Sequence, residues 1–214
     1  MTKESVKEFL KKKDIEISLR RYGIDALGAM AQGLFCTLLV GTILSTLGTQ
    51  FHALDFLVKT IATVGTAEYS VASLCTAMAG PAMAAAIGYA LKSPPLVLFS
   101  LIVVGFAANA LGGAGGPLAV LVIAILASEF GKLVSKETKV DILVTPLVTI
   151  GVGVGLSAWW APALGKAAMW VGDLIMWATN LQPFLMGILV SVLVGMALTL
   201  PISSAAICAA LGLT

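Results

Sequence analysis

Apolar runs of bilayer-crossing length recur along this chain, divided by short stretches of glycine, proline and charge. A helix needs roughly 20 apolar residues to cross the hydrocarbon core. Leu27–Leu47 is the first such run. Ser70–Leu91 is a second, rich in alanine and interrupted by Gly80-Pro81. Pro94–Leu111 is a third, and the glycine-rich stretch Gly112–Gly116 then predicts a turn. Pro117 opens a fourth run that ends near Phe130, and Ile142–Trp160 is a fifth. Phe184–Leu200 is a sixth, and Ile202–Leu213 begins a seventh span or a re-entrant segment. The pattern predicts an all-α, polytopic transmembrane protein of about 6–7 spans. A transmembrane barrel is excluded, because it needs roughly 10-residue alternating segments and these runs are continuous.

Two stretches carry a different period. In Gln50–Val64, His52, Asp55 and Lys59 fall on one helical face, with Leu54, Leu57, Val58 and Ile61 elsewhere. In Gly165–Asn180, Trp170, Leu174 and Trp177 recur at i, i+4, i+7. Both read as amphipathic helices at the membrane boundary rather than spans. Residues 1–23 read as an amphipathic lead-in, with Val6, Phe9 and Leu10 set among lysines able to rest on anionic headgroups. The membrane domain then runs over 24–214. Because the chain stops at Thr214 within an apolar run, the domain is expected to be incomplete at its C-terminus.

Composition agrees with lipid as the solvent: 59% of residues are hydrophobic and 11% charged, with a mean hydropathy of +1.02. Soluble domains carry about 25% charge. With the N-terminus inside and spans alternating, eleven of the thirteen Lys and Arg fall inside, leaving Lys59 and Lys166 outside. The positive-inside rule therefore predicts a cytoplasmic N-terminus. The net charge of +2 carries no argument for nucleic acid. The long apolar run after the basic lead-in reads as a retained anchor, not a cleaved leader.

Catalytic chemistry has few candidates. His52 is the sole histidine, and Cys36, Cys75 and Cys208 are scattered through apolar stretches, so neither a metal cluster nor a CxxC pair is present and no cofactor is implied. The glycine run lacks the Lys-Ser/Thr of a phosphate loop. Polar residues at membrane depth are the better lead, since each is costly unless it faces a cavity or a partner. Gln32, Asn109, Gln182, Ser203 and Ser204 qualify. Gln182-Pro183 and Pro201-Ile202-Ser203-Ser204 also free backbone groups, which suits either a cavity wall or a packing kink with hydroxyls bonded to their own helix. Glu68, beside Tyr69 at the mouth of the second span, reads as a binding carboxylate or as an ordinary acid at a helix N-terminus. Gly151, Gly153 and Gly155 suggest close helix packing.

GKLVSKETKVDILVTP (Gly131–Pro146) and LQPFLMGILVSVLVGMALTLPISSAAI (Leu181–Ile207) resemble the integral membrane IIC component of a bacterial sugar phosphotransferase system. RRYGIDALGAMAQGLF (Arg20–Phe35) and ALKSPPLVLFS (Ala90–Ser100) are similar as well, notably to the subfamily that includes a regulator of perfringolysin production. The resemblance implies a multi-pass sugar permease of the inner membrane. It implies a sugar phosphorylated by a IIB partner supplied through IIA, and a homo-oligomer is expected. It equally admits a membrane-embedded regulator of the same fold that transports nothing. The resemblance assigns no sugar ligands; membrane depth and helix breaks make Gln182, Ser203 and Ser204 candidate sugar ligands, with Glu68 a charged acceptor near the outer mouth. No residue here reads as a phosphoryl carrier, so the phosphoryl group is expected from another protein.

Overall fold

The computed structural model describes residues 12–15, 18–179, 187–192 and 195–196. Most of the lead-in, part of the sixth apolar run, all of the seventh, and Cys208, Gln182, Ser203 and Ser204 lie outside the described residues.

The protein is an all-α, polytopic membrane bundle. Helix α1 runs Arg21–Gln50 with π-type turns at Arg21–Asp25 and Phe35–Leu39. At ~1.5 Å per residue it is about 45 Å long. A 3₁₀ turn, His52–Leu57, and a two-stranded antiparallel ribbon, β1 (Ala62–Val64) and β2 (Ala67–Tyr69), follow. Then come α2 (Val71–Ala77), α3 (Ala79–Ala90), α4 (Pro95–Gly112), α5 (Gly116–Val134) and α6 (Asp141–Thr179).

The stretch Pro95–Val134 is long and apolar enough to span as one unit, but it doubles back. Ser93 and Ser128, 35 residues apart, have their hydroxyl oxygens 2.7 Å from each other. The reversal falls at Gly113–Gly115, where Gly113 takes φ 51. An L-residue with a Cβ resists that conformation, so the glycine run permits the turn. Arms of 18 and 19 residues result, each about 27–29 Å long. Pro117 sits in the first turn of α5, where its missing N–H costs nothing.

Helix α4 is the centre of the bundle and touches α3, α5 and α6. Val97, Leu101, Val104 and Ala108 supply its buried stripe at helical spacing, against Ala119, Val120, Ile123, Ala124 and Ala127 of α5. Small residues set the other contacts. A methyl group on Gly33 of α1 would lie 2.6 Å from the Ala82 carbonyl oxygen of α3, and one on Gly115 would lie 2.7 Å from the Leu164 oxygen of α6. Gly80 of α3 and Gly105 of α4 meet backbone to backbone. In a membrane, such approaches replace the hydrophobic drive that lipid removes. Outward-facing Phe99, Phe106, Leu147, Phe35 and Ile43 are exposed. Large apolar side chains facing outward in this way suit contact with lipid.

Four sequence expectations need correction. Gln50–Val64 is not an amphipathic helix: it holds the 3₁₀ turn and β1, and Val64 pairs with Ala67 across a two-residue loop with Gly65 at φ 64. Gly-X is the favoured chemistry of such hairpin loops. Gly165–Asn180 is not separate from the fifth span. Asp141–Thr179 is one helix of 39 residues that carries Pro146 and Pro162 inside it, about 58 Å long and nearly twice the hydrocarbon thickness. The second span is broken, bending by 47° between α2 and α3, but the break is at Met78, and Pro81 sits harmlessly in the first turn of α3. Of the three glycines in the fifth span, Gly153 packs against Val104 while Gly151 and Gly155 face open space.

Candidate functional site

Two polar sites stand at opposite ends of α1. The first, at its N-terminal end, joins the beginnings and ends of several helices; we call this end basal. Helix α3 ends at Leu91, whose carbonyl oxygen would otherwise lack a partner. Two cations satisfy it: Lys132 Nζ donates to it at 2.6 Å and Arg21 Nη2 at 2.7 Å. Both complement the negative end of the α3 dipole. Lys132 is 1% exposed and also donates to Glu129 Oε1 at 3.3 Å, one helical turn away on α5. The other oxygen of that carboxylate, Oε2, is buried without a hydrogen bond. Arg21 Nη2 donates to Asp14 Oδ2 at 2.8 Å, and Lys13 pairs with Glu137 at 2.5 Å and donates to the Ser135 carbonyl. The segment before α1 is thereby clamped to the loop after α5.

Two carboxylates of this clamp titrate below their usual range. Asp14 is lowered chiefly by its hydrogen bond from Arg21, and Glu137 by its hydrogen bond from Lys13. A group with a lowered folded pKa contributes stability above its unfolded value, lost as pH falls through the folded one. The ordinary values are 3.8 and 4.5, so the melting temperature is expected to be flat down to about pH 5 and to fall below about pH 4. Asp14→Asn combined with Glu137→Gln should lower the plateau and flatten the acid limb, as thermal melting in detergent over pH 3–8 will read. An unchanged acid limb in the double variant would remove the clamp from the account.

Beside the clamp is a cavity of about 460 Å³ lined by Lys12, Lys13, Lys92, Lys132 and Lys136. Asp14 and Glu137 complete its charged lining, so five ammonium groups face two carboxylates.

The second site lies along the C-terminal half of α1. Thr42, Ser45 and Thr49, spaced i, i+3, i+7, line a groove of about 460 Å³ opposite Ser70, Ser73 and Thr76 of α2 and its cap. Gly41 lets α2 approach α1 closely here, a methyl there lying 2.8 Å from Thr76 Cγ2. Most of these hydroxyls donate to their own helix: Thr42 to the Leu39 carbonyl at 2.8 Å, Thr49 to Ser45 at 3.0 Å, Thr76 to Ser73 at 2.9 Å. Each keeps lone pairs to accept a ligand's hydroxyl proton. Ser70 and Ser73 form a reciprocal capping box that starts α2. The Ser45 hydroxyl has no hydrogen bond among the described residues.

Glu68 is exposed on β2, facing Thr63 across the ribbon and accepting from Thr60 Oγ1 at 3.1 Å. It precedes the Ser70 cap by two residues, so it borders the groove's end without lining it. Gln32 is exposed on α1. Asn109 is half-buried at the junction of α3, α4 and the hairpin tip, where a methyl on Gly80 would lie 2.6 Å from its Cβ. His52 is exposed, and among the described residues there is no group of three metal-ligating side chains. The groove hydroxyls were missed in the sequence, although their helical spacing in two segments was a visible signal.

Residues 24–214 match the family described as Phosphotransferase system, EIIC. The chain belongs to the phosphotransferase system EIIC family. No curated protein and no solved structure matches it. EIIC membership makes the chain a membrane component of a sugar phosphotransferase system, with a sugar as substrate and IIB and IIA proteins as partners. For this EIIC chain, a groove lined with neutral hydroxyls and a cationic cavity at the other end of α1 are the two polar features that such chemistry has to draw upon.

Proposed function

We propose that this EIIC chain translocates its sugar, which meets the hydroxyl groove between α1 and α2 on the outer side and is phosphorylated by IIB at the basal, cytoplasmic side. The observation that carries the reading is the groove: two rows of hydroxyls at helical spacing, with Ser45 uncommitted among the described residues. Sugar recognition uses neutral hydrogen-bonding groups converging on a preformed concavity. Support for the orientation is the charge asymmetry, with eleven cations on the basal side of the alternation and two on the other. Glu68, at the end of the groove, and Gln182, Ser203 and Ser204 belong to the same proposal as further sugar ligands. Homo-oligomerisation is part of the same proposal.

Ser45→Ala with Thr49→Val tests the groove. Loss of two hydrogen bonds of ~0.5–1.5 kcal/mol each predicts a roughly 5- to 100-fold rise in the KM for sugar uptake, with little change in melting temperature. An unchanged KM would take the sugar away from the groove. If the chain is instead a membrane-embedded regulator that only senses its ligand, deletion changes gene expression while uptake of the sugar is unaltered.

A further inference from the structure

The basal cavity has a property that neither the clamp nor the family explains. Among the described residues, the side chains outside glycine that take positive φ are Asp14 (φ 54), Lys92 (φ 56) and Lys136 (φ 63), and all three line this one cavity. Each conformation is strained for a residue with a Cβ. Lys92 follows α3 in a hydrogen-bonded C-terminal turn, its N–H bonded to the Tyr89 carbonyl and that of Ser93 to Gly88. Glycine is the usual residue there. Lys136 occupies a tight turn in which Glu137 N bonds the Val134 carbonyl at 3.2 Å, with Ser135 extended at φ −56, ψ 131. Glycine is again preferred at that third position. Two separate turns therefore carry lysine where glycine is less strained, and both lysines reach the same cavity.

Asp14, Glu129, Glu137 and the Leu91 carbonyl are engaged by Lys13, Arg21 and Lys132. Lys12, Lys92 and Lys136 show no hydrogen-bonded side-chain partner among the described residues. Lys92 also lines an adjoining groove of about 550 Å³ with Tyr89, Ala90 and Ser93. Tyr89 is 79% exposed and Phe99, at the start of α4, 64%. A cationic cavity thus opens onto an apolar, lipid-facing flank at one end of the membrane helices.

We propose that this cavity binds the phosphate headgroup of an anionic phospholipid, held by Lys12, Lys92 and Lys136, with its acyl chains along the exposed flank at Tyr89. Basic pockets between membrane helices recognise anionic headgroups, and each nearby Lys adds to the attraction. A soluble phosphate would gain the charge but not the flank. The proposal holds whichever face of the bilayer the basal end occupies, so it stands apart from the sugar reading.

The test uses the full chain in nanodiscs of phosphatidylcholine alone or with added phosphatidylglycerol, compared by melting temperature. Phosphatidylglycerol is expected to raise it by at least about 2–4 °C. In Lys92→Gly with Lys136→Gly, the phosphatidylcholine value is expected to hold or rise, because glycine relieves the turns, while the phosphatidylglycerol increment disappears. Inorganic phosphate should give no increment. An increment that survives in the double variant, or that inorganic phosphate reproduces, or that is missing from the unaltered protein, overturns the proposal. Reduced folding of the variant in phosphatidylcholine would also count against it, since it would give the lysines a structural role instead.

Discussion

Replacing Lys132 by methionine is expected to destabilise the protein by about 3–5 kcal/mol. The methionine fits the volume, so packing loss is small. What is lost is the charge that neutralises Glu129 and one of the two donors to the Leu91 carbonyl. Glu129 would then be a carboxylate 15% exposed, with one oxygen already unpartnered. Breaking a buried pair by removing one member is far worse than removing both. Lys132→Met with Glu129→Leu should therefore recover most of the loss. Arg21, which still donates to Leu91 at 2.7 Å, keeps that carbonyl satisfied in the double variant. Equilibrium unfolding in mixed micelles measures all three proteins. A single variant as stable as the unaltered chain would show that the basal cluster contributes nothing to holding α1, α3 and α5 together.

The second large effect falls at the crossing of α3 and α4. Gly105→Val is expected to cost about 3 kcal/mol or more, the upper end of overpacking penalties. A Cβ on Gly105 would lie 2.5 Å from Ala84 Cβ and closer still to the Gly80 carbonyl oxygen. Neither atom belongs to a flexible side chain, so the helices would have to separate. Separation would also withdraw Val104 from Gly153 and strip contact from the helix at the centre of the bundle. Gly151→Ala is the matched control: no atom lies within 4 Å of the added methyl, and alanine is a better helix former by ~1 kcal/mol. It should be neutral or stabilising in the same unfolding measurement. Equal losses at both positions would mean that close approach at Gly80–Gly105 is not what fixes the packing.

The contrast between those glycines shows where sequence reading ran out. Gly151, Gly153 and Gly155 look alike along the chain, and only Gly153 faces a neighbour. Which side of α6 meets α4 depends on the hairpin, and that information is not local to α6. The hairpin itself was legible. Two aliphatic runs separated by five residues that include four glycines, with proline opening the second, admit few other solutions. The ribbon was also written in the chain, as alternation around Gly65-Thr66. The periodic placing of His52, Asp55 and Lys59 drew the reading to a helix instead. Hydrophobic period alone did not separate the two in so short a stretch. The length of α6 was obscured by the change from an apolar run ending at Trp160 to an amphipathic stretch starting at Gly165, although one helix runs through both.

The sites follow the same division. A groove built from 42/45/49 and 70/73/76 uses local spacing, and both rows were there to be seen. The basal cluster draws Asp14, Arg21, Leu91, Glu129 and Lys132 from widely separated segments. Along the chain the four charged side chains have nothing to link them, and the Leu91 carbonyl is an ordinary helix end, until folding brings them together. Glu68 was noticed for its depth at a span entrance. Its place on an exposed strand shows why: the span begins at Ser70, two residues later, and the ribbon holds Glu68 beyond the helix.

The proposed function has this EIIC chain move a sugar that its partner phosphorylates. It is tested most directly with sealed vesicles that hold the natural protein, its IIB and IIA partners and the general carriers, loaded with phosphoenolpyruvate and given labelled sugar outside. The account predicts that label accumulates inside as sugar phosphate, and that omitting IIB or phosphoenolpyruvate abolishes the accumulation. Vesicles that bind the sugar yet accumulate no sugar phosphate with every component present would contradict it.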